Sequence, residues 1–265
     1  RLNRSYQPHS GTFSIQTRQK TGGTRTGTRE LWTYAGPSHY YYTNRKFDVA
    51  WGFAQSGGIG GVLASQESLR QMMPGDQLWP AMRSEAWSFH TVTQGSNYFD
   101  AVIKAMEAGY GPATDLDDFC NKIYAMNYNS ARGMFEAYGK NKYTATGITT
   151  WKYDAAWPAA MTWQYIDWYL RPTAAYYGAK KACTPLHAIY AYNDATVYVV
   201  NSFYQAYKDL KIKAAWYSLK GKSIGEGEER TIDIPEDGVV KAFEAAFPKK
   251  GGDLAFLKLT LTGAD

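Results

Sequence analysis

The sequence predicts an α/β region followed by an all-β region. Two observations carry this. Through about residue 182, short β-branched or aromatic runs alternate with segments whose apolar residues recur at helical spacing. After Pro185 the texture changes to six short segments of period-two character separated by turn signals, which reads as a β-sandwich. At 265 residues, with 45% hydrophobic and 20% charged content, the chain suits one large globular domain or two ordinary ones.

The elements follow in order. Residues 1–46 are polar and turn-rich, with Gly22-Gly23, Gly27 and Gly36-Pro37, and are expected to be mostly loop. Arg18, Lys20, Arg25 and Arg29 fall inside this stretch and read as a solvated loop. Residues 47–53 (F-D-V-A-W-G-F) predict a short buried strand, broken by the glycine-rich run 57–61. Ser65 is placed to cap a helix with Glu67 in its first turn, where the helix dipole favours an acid, and Pro74 ends it. Over 97–109, Phe99, Val102, Ile103 and Met106 recur at helical spacing. A second helix is expected from Thr114, capped by its hydroxyl, to Tyr138, with Gly139 just past its end. Residues 144–151 (T-A-T-G-I-T-T-W) form a β-branched run that predicts a strand ending at Trp151. Residues 161–170 (M-T-W-Q-Y-I-D-W-Y-L) predict an aromatic helix stopped by Arg171-Pro172. Beyond it come the sandwich segments 186–192, 196–201, 210–219, 230–234, 239–246 and 255–261.

Several classes of function are excluded. The net charge is +5, but the basic residues are scattered and follow no helix face, so no nucleic-acid binding is expected. No apolar run approaches the roughly 18 residues of a membrane span. His9, His39, His90 and His187 show no metal-ligand spacing, and neither a metal site nor a cofactor is expected. The run 57–61 lacks the Lys-Ser/Thr that would follow in a phosphate loop. Two cysteines, Cys120 and Cys183, are too few for a disulfide framework; a single bridge or two free thiols both remain open. Asn3-Arg4-Ser5 is a formal glycosylation sequon. The 22 Tyr and 9 Trp lean towards a secreted, extracellular or periplasmic protein that meets carbohydrate. Flat aromatic faces match the C–H face of a pyranose, and Tyr and Trp keep a polar edge for hydroxyls.

An ordered series of blocks is more specific than composition. It comprises W-G-F (51–53), E-S-L-R-Q-M-M-P (67–74), Gly111-Pro112-Ala113 before an acidic helix start, F-E-A-Y-G-K-N-K-Y-T-A-T-G (135–147), W-x5-W-P (151–158), Y-L-R-P (169–172), Y-Y-G-A-K-K-A-C-T-P-L-H (176–187) and V-V-N-S (199–202). Together they resemble glycoside hydrolase family 2, closest to its exo-β-D-glucosaminidase and β-mannosidase branch, over roughly residues 30–265. The resemblance implies α/β plus all-β architecture. Residues 1–181 would be the C-terminal portion of a (β/α)8 TIM-barrel catalytic domain. Residues 182–265 would be an Ig-like β-sandwich lacking its last strand. A whole barrel needs about 250 residues, so the remaining domains or subunits of a larger protein are expected as partners.

The family resemblance also implies retaining hydrolysis, in which an acid protonates the leaving oxygen and a carboxylate about 5–5.5 Å away attacks the anomeric carbon. The acid/base would lie upstream of Arg1. The nucleophile would be a Glu in a pattern like G-F-N-[ST]-E, but here the stretch is Gly52-Phe53-Ala54-Gln55-Ser56, and Ser56 stands where the Glu should be. A serine there can neither attack as a carboxylate nor stabilise an oxocarbenium-like centre by charge. Three accounts stay open: a degenerate site; a substitute carboxylate, with Asp48, Asp154 and Glu67 nearest in sequence; or a Glu read as Ser at position 56. The expected sugar contacts are Trp151, Tyr153, Asp154 and Trp157. Asp167 is expected to be a structural hydrogen-bond partner. The chain is then a non-catalytic glycan-binding or structural homologue, or alternatively part of an active exo-β-D-glucosaminidase or β-mannosidase.

Overall fold

The computed structural model of the protein describes residues 28–33, 50, 52–59, 61–91, 98–150, 152–225, 227–248 and 254–263. Strands β1 (Thr28–Thr33), β2 (Gly52–Ile59) and β4 (Ala145–Thr150) form a parallel sheet in the order β1-β2-β4. Between β2 and β4 the chain makes β3 (Val62–Leu63) and four helices: α1 (Gln66–Met72), α2 (Glu85–His90), α3 (Tyr98–Tyr110) and α4 (Leu116–Lys140). After β4 come β5 (Met161–Thr162), paired antiparallel with β3, and α5 (Ala174–Ala182).

Several elements depart from the sequence reading, each for a local reason. Residues 28–33 are a strand, not loop, although Arg29 and Glu30 interrupt any apolar alternation; pairing with β2 supplies what propensity does not. Strand β2 runs on through Gly57 and Gly58, which pair with Leu31 and Trp32, so the glycines do not break it. Ser65 does cap α1, its Oγ accepting from Ser68 N at 3.2 Å. The cap of α4 is Asp115 rather than Thr114: its carboxylate accepts from Asp118 N at 2.8 Å, and an anion suits the positive helix end better than a hydroxyl. That helix passes through Gly139, which keeps helical backbone, and ends on Asn141.

The expected aromatic helix over 161–170 does not form. Asp167 is the cause. Its Oδ1 accepts from Tyr169 N at 2.9 Å and Arg171 N at 3.0 Å, so the side chain holds amides that a helix would send to backbone carbonyls. The amides of Tyr165 and Ile166 both donate to Tyr153 O, at 2.9 and 2.8 Å. The segment is therefore a strap folded back over the loop that follows β4.

Among the described residues, six antiparallel strands follow: β6 (Leu186–Ala191), β7 (Thr196–Asn201), β8 (Tyr207–Tyr217), β9 (Glu228–Ile234), β10 (Val239–Glu244) and β11 (Phe256–Thr262). They lie within three residues of the expected segments. They make two sheets, β10-β7-β6 and β11-β8-β9. The period-two pattern turns Leu210, Ile212 and Ala214 of β8 inward, where they share one core with Val197, Val199, Ile232, Ile234 and Phe243. This is a β-sandwich.

The sandwich is joined to the helices by packing and by charge. Ala131, Met134, Ala137 and Tyr138 of α4 share a core with Ile189, Ala191 and Val200. Just past the helix, Lys142 Nζ donates to Asn201 O (2.8 Å), Ser202 Oγ (2.9 Å) and Asp237 Oδ1 (2.6 Å). Both cysteines are free thiols, Cys120 buried and Cys183 exposed, so the bridge left open by the sequence is not made.

Candidate functional site

Strands β1, β2 and β4 end together. Thr33 lies beside Ile59, and Gly57 beside Thr150. Carboxyl ends of parallel strands are where side chains from separate strands converge and where open loops carry chemistry. The segments leaving β2 and β4 are stitched to each other there. Ala64 N donates to Ala160 O at 2.8 Å, and Ala160 N to His90 O at 2.7 Å.

Ser56 sits near this end of β2, at a bulge. Against β1, the register steps from Arg29↔Ala54 to Glu30↔Ser56 and skips Gln55; against β4, Gln55 and Ser56 together oppose Thr149. The strand thus carries one residue more than either neighbour at the position where the family nucleophile is expected. Bulges of this kind re-aim side chains and recur beside active sites. Glu30 holds the register position opposite Ser56. Sequence reasoning did not reach it, because a partner on another strand has no local signature.

The other expected site residues fall as follows. Trp151 lies outside the described residues, as does Asp48. Tyr153 and Asp154 are exposed in the loop after β4. Trp157 is half-buried, stacked on His90 with ring centroids 6.0 Å apart and planes 12° from parallel. Phe89 stands edge-on to both rings. His90 and Pro158 O lie 2.6 Å apart through Nδ1, which must donate because a carbonyl only accepts; this fixes the tautomer with Nε2 unprotonated in the neutral ring. Phe89 and His90 were not among the expected contacts: they lie 68 residues from the loop they meet. Glu67 is exposed in the first turn of α1.

Asp167 is buried at 1% exposure and fully engaged. Besides the two amides of its own turn, it accepts from Ser68 Oγ at 2.7 Å and Ser65 N at 3.3 Å. Arg171 extends the network to Ser68 Oγ (3.1 Å) and Gln71 Oε1 (3.0 Å). A carboxylate with every acceptor position used by the fold holds the strap in place, as the sequence suggested. Among the described residues, no group of three His, Cys, Asp or Glu is arranged to hold a metal ion, and no helix is long and apolar enough to cross a membrane.

No family model matches the chain. The exo-β-D-glucosaminidase of Streptomyces avermitilis is 31% identical over 211 residues, which are 76% of this chain and 23% of that protein. The solved exo-chitosanase CsxA of Amycolatopsis orientalis superposes with a TM-score of 0.79 at 24% identity, over 88% of this chain and 28% of that one. The similarity of this chain is therefore to the exo-β-D-glucosaminidase and β-mannosidase branch of glycoside hydrolase family 2, as its sequence blocks suggested. The β-D-mannosidase of Dictyoglomus thermophilum shares the family 2 fold with it at a TM-score of 0.74 and 19% identity, over 91% of this chain and 29% of that one. The chain spans about a quarter of the length of the curated relatives it matches.

Proposed function

We propose that this chain is the later part of a family 2 (β/α)8 barrel, residues 1–181, followed by an Ig-like β-sandwich, residues 182–265, and that it binds β-linked sugars without hydrolysing them. The observation that carries the reading is Ser56. It occupies the bulge of β2 at the carboxyl end of the parallel sheet, where a retaining mechanism needs a carboxylate. Without that charge the oxocarbenium-like transition state loses its largest stabilising partner, while ground-state contacts to hydroxyls are untouched. Exposed Tyr153 and Asp154, with half-buried Trp157 in the same loop, supply the aromatic and polar surface for a sugar. Three parallel strands with helices between and after them, and two facing antiparallel sheets, support the barrel and Ig-like assignments. The remaining domains or subunits of the larger protein complete the site. An extracellular or periplasmic location goes with a polymeric glycan ligand. Affinity electrophoresis of the intact protein through gels containing chitosan, β-mannan or no polysaccharide tests this. Retardation by either polymer is expected; equal mobility in all three gels would refute it.

A second reading has one observation in its favour. Glu30 on β1 lies at the register position of Ser56, so an acidic residue is paired with the strand position where the family nucleophile is expected. On this reading the whole protein is an active retaining exo-β-D-glucosaminidase or β-mannosidase, and Glu30→Gln abolishes its turnover.

A further inference from the structure

One ring beside the strand ends is both exposed and held. Phe89 is 68% exposed, yet it meets the His90 ring edge-on at 5.0 Å and 83°, and the Trp157 ring at 5.7 Å and 79°. Trp157, one of the expected sugar contacts, is half-buried and lies nearly parallel to the His90 ring with centroids 6.0 Å apart. His90 is itself fixed twice to the loop after β4, through Nδ1 to Pro158 O and through its carbonyl from Ala160 N. An exposed phenyl wedged by two perpendicular rings has little rotamer freedom left to lose on binding, so its face is preorganised. Because Nδ1 is committed to a carbonyl, Nε2 is the nitrogen that His90 can turn to a ligand hydroxyl.

We propose that Phe89 is the sugar-stacking ring of this site, that His90 Nε2 hydrogen-bonds the stacked sugar, and that Trp157 is the positioning residue that holds both. The occupant is a pyranose of a β-linked glycan. This assignment rests on the glycan-binding reading above and gives the stacking role to a ring that the sequence did not single out.

The test is calorimetric titration of the intact protein with a β-1,4-linked glucosamine tetramer. Phe89→Ala weakens binding about tenfold, and Phe89→Trp keeps it within about twofold. Trp157→Ala weakens binding through misplacement of Phe89, and Trp157→Phe, which retains a ring behind it, restores most of the loss. Because Phe89 is exposed, Phe89→Ala melts at the wild-type temperature, which separates lost binding from lost fold. Unchanged affinity in Phe89→Ala, alongside a loss in Trp157→Ala or Tyr153→Ala, would overturn the assignment while leaving the glycan reading intact. A wild-type protein that does not bind the tetramer would overturn both.

Discussion

Adding one methyl group at Gly178 sets two effects against each other, and the structure decides the sign. Gly178 lies inside α5, so alanine there should gain about 0.5–1 kcal/mol from helix propensity. An alanine Cβ, however, would stand 2.3 Å from the carbonyl oxygen of Tyr128 and 3.1 Å from Arg132 N, both backbone atoms of α4. Real Cβ atoms essentially never approach closer than 3.0 Å, and backbone cannot swing aside as a side chain can. The two helices must part along their whole contact, loosening a core that contains Ala131, Met134 and Ala175. Overpacking of this kind costs about 1–3 kcal/mol, and a clash against backbone belongs at the upper end. The net loss is about 1–2 kcal/mol, or a fall in Tm of several degrees at this chain length. Gly109, in α3, is the control: a Cβ there meets nothing within 4 Å, so Gly109→Ala should raise Tm slightly. Thermal melts followed by circular dichroism measure both. If Gly178→Ala melts at or above the wild-type temperature, the close approach of α4 and α5 is wrong.

Two further outcomes follow from charge and burial. The Lys142 hydrogen bond holds the Asp237 carboxyl below its usual value, so the unfolded chain takes up a proton there before the folded one does. The stabilisation is present above the unfolded pKa and lost as pH falls through the folded one. Asp237→Asn should therefore lower Tm slightly at pH 7, and the gap should shrink as pH falls through the carboxylate range; a gap that does not change with pH would count against the pair. Burial raises the pKa of both thiols, that of Cys120 to about 11, but only Cys183 is exposed to reagent, so Ellman's reagent at pH 8 should titrate one thiol per native chain and two in guanidinium. Two fast-reacting native thiols would contradict the buried placement of Cys120.

The sandwich was legible because its signals are local: L-K-I-K-A alternates at the period of the pleat, T-V-Y-V-V-N is a β-branched run buried on both faces, and the turns between strands are marked. The cap at Ser65 was legible for the same local reason. Elements that depend on distant partners were not. β1 reads as loop because its strand character comes from β2, and the helix expected at 161–170 loses to a single carboxylate, Asp167, whose capture of downstream amides periodicity cannot register. In the site, the loop after β4 could be named from Trp151, Tyr153 and Trp157, since they are adjacent in sequence. Phe89 and His90 reach it only through the fold, and the bulge at Gln55–Ser56 exists only as a mismatch between three strands.

Position 56 is tested most directly by turnover of p-nitrophenyl β-D-glucosaminide and β-D-mannoside by the intact wild-type protein beside its Ser56→Glu variant. The wild type should hydrolyse neither substrate above background. Turnover by the wild type at ordinary enzyme rates, on the order of 1–10³ per second, would mean that another carboxylate does the work and that the non-catalytic reading is wrong.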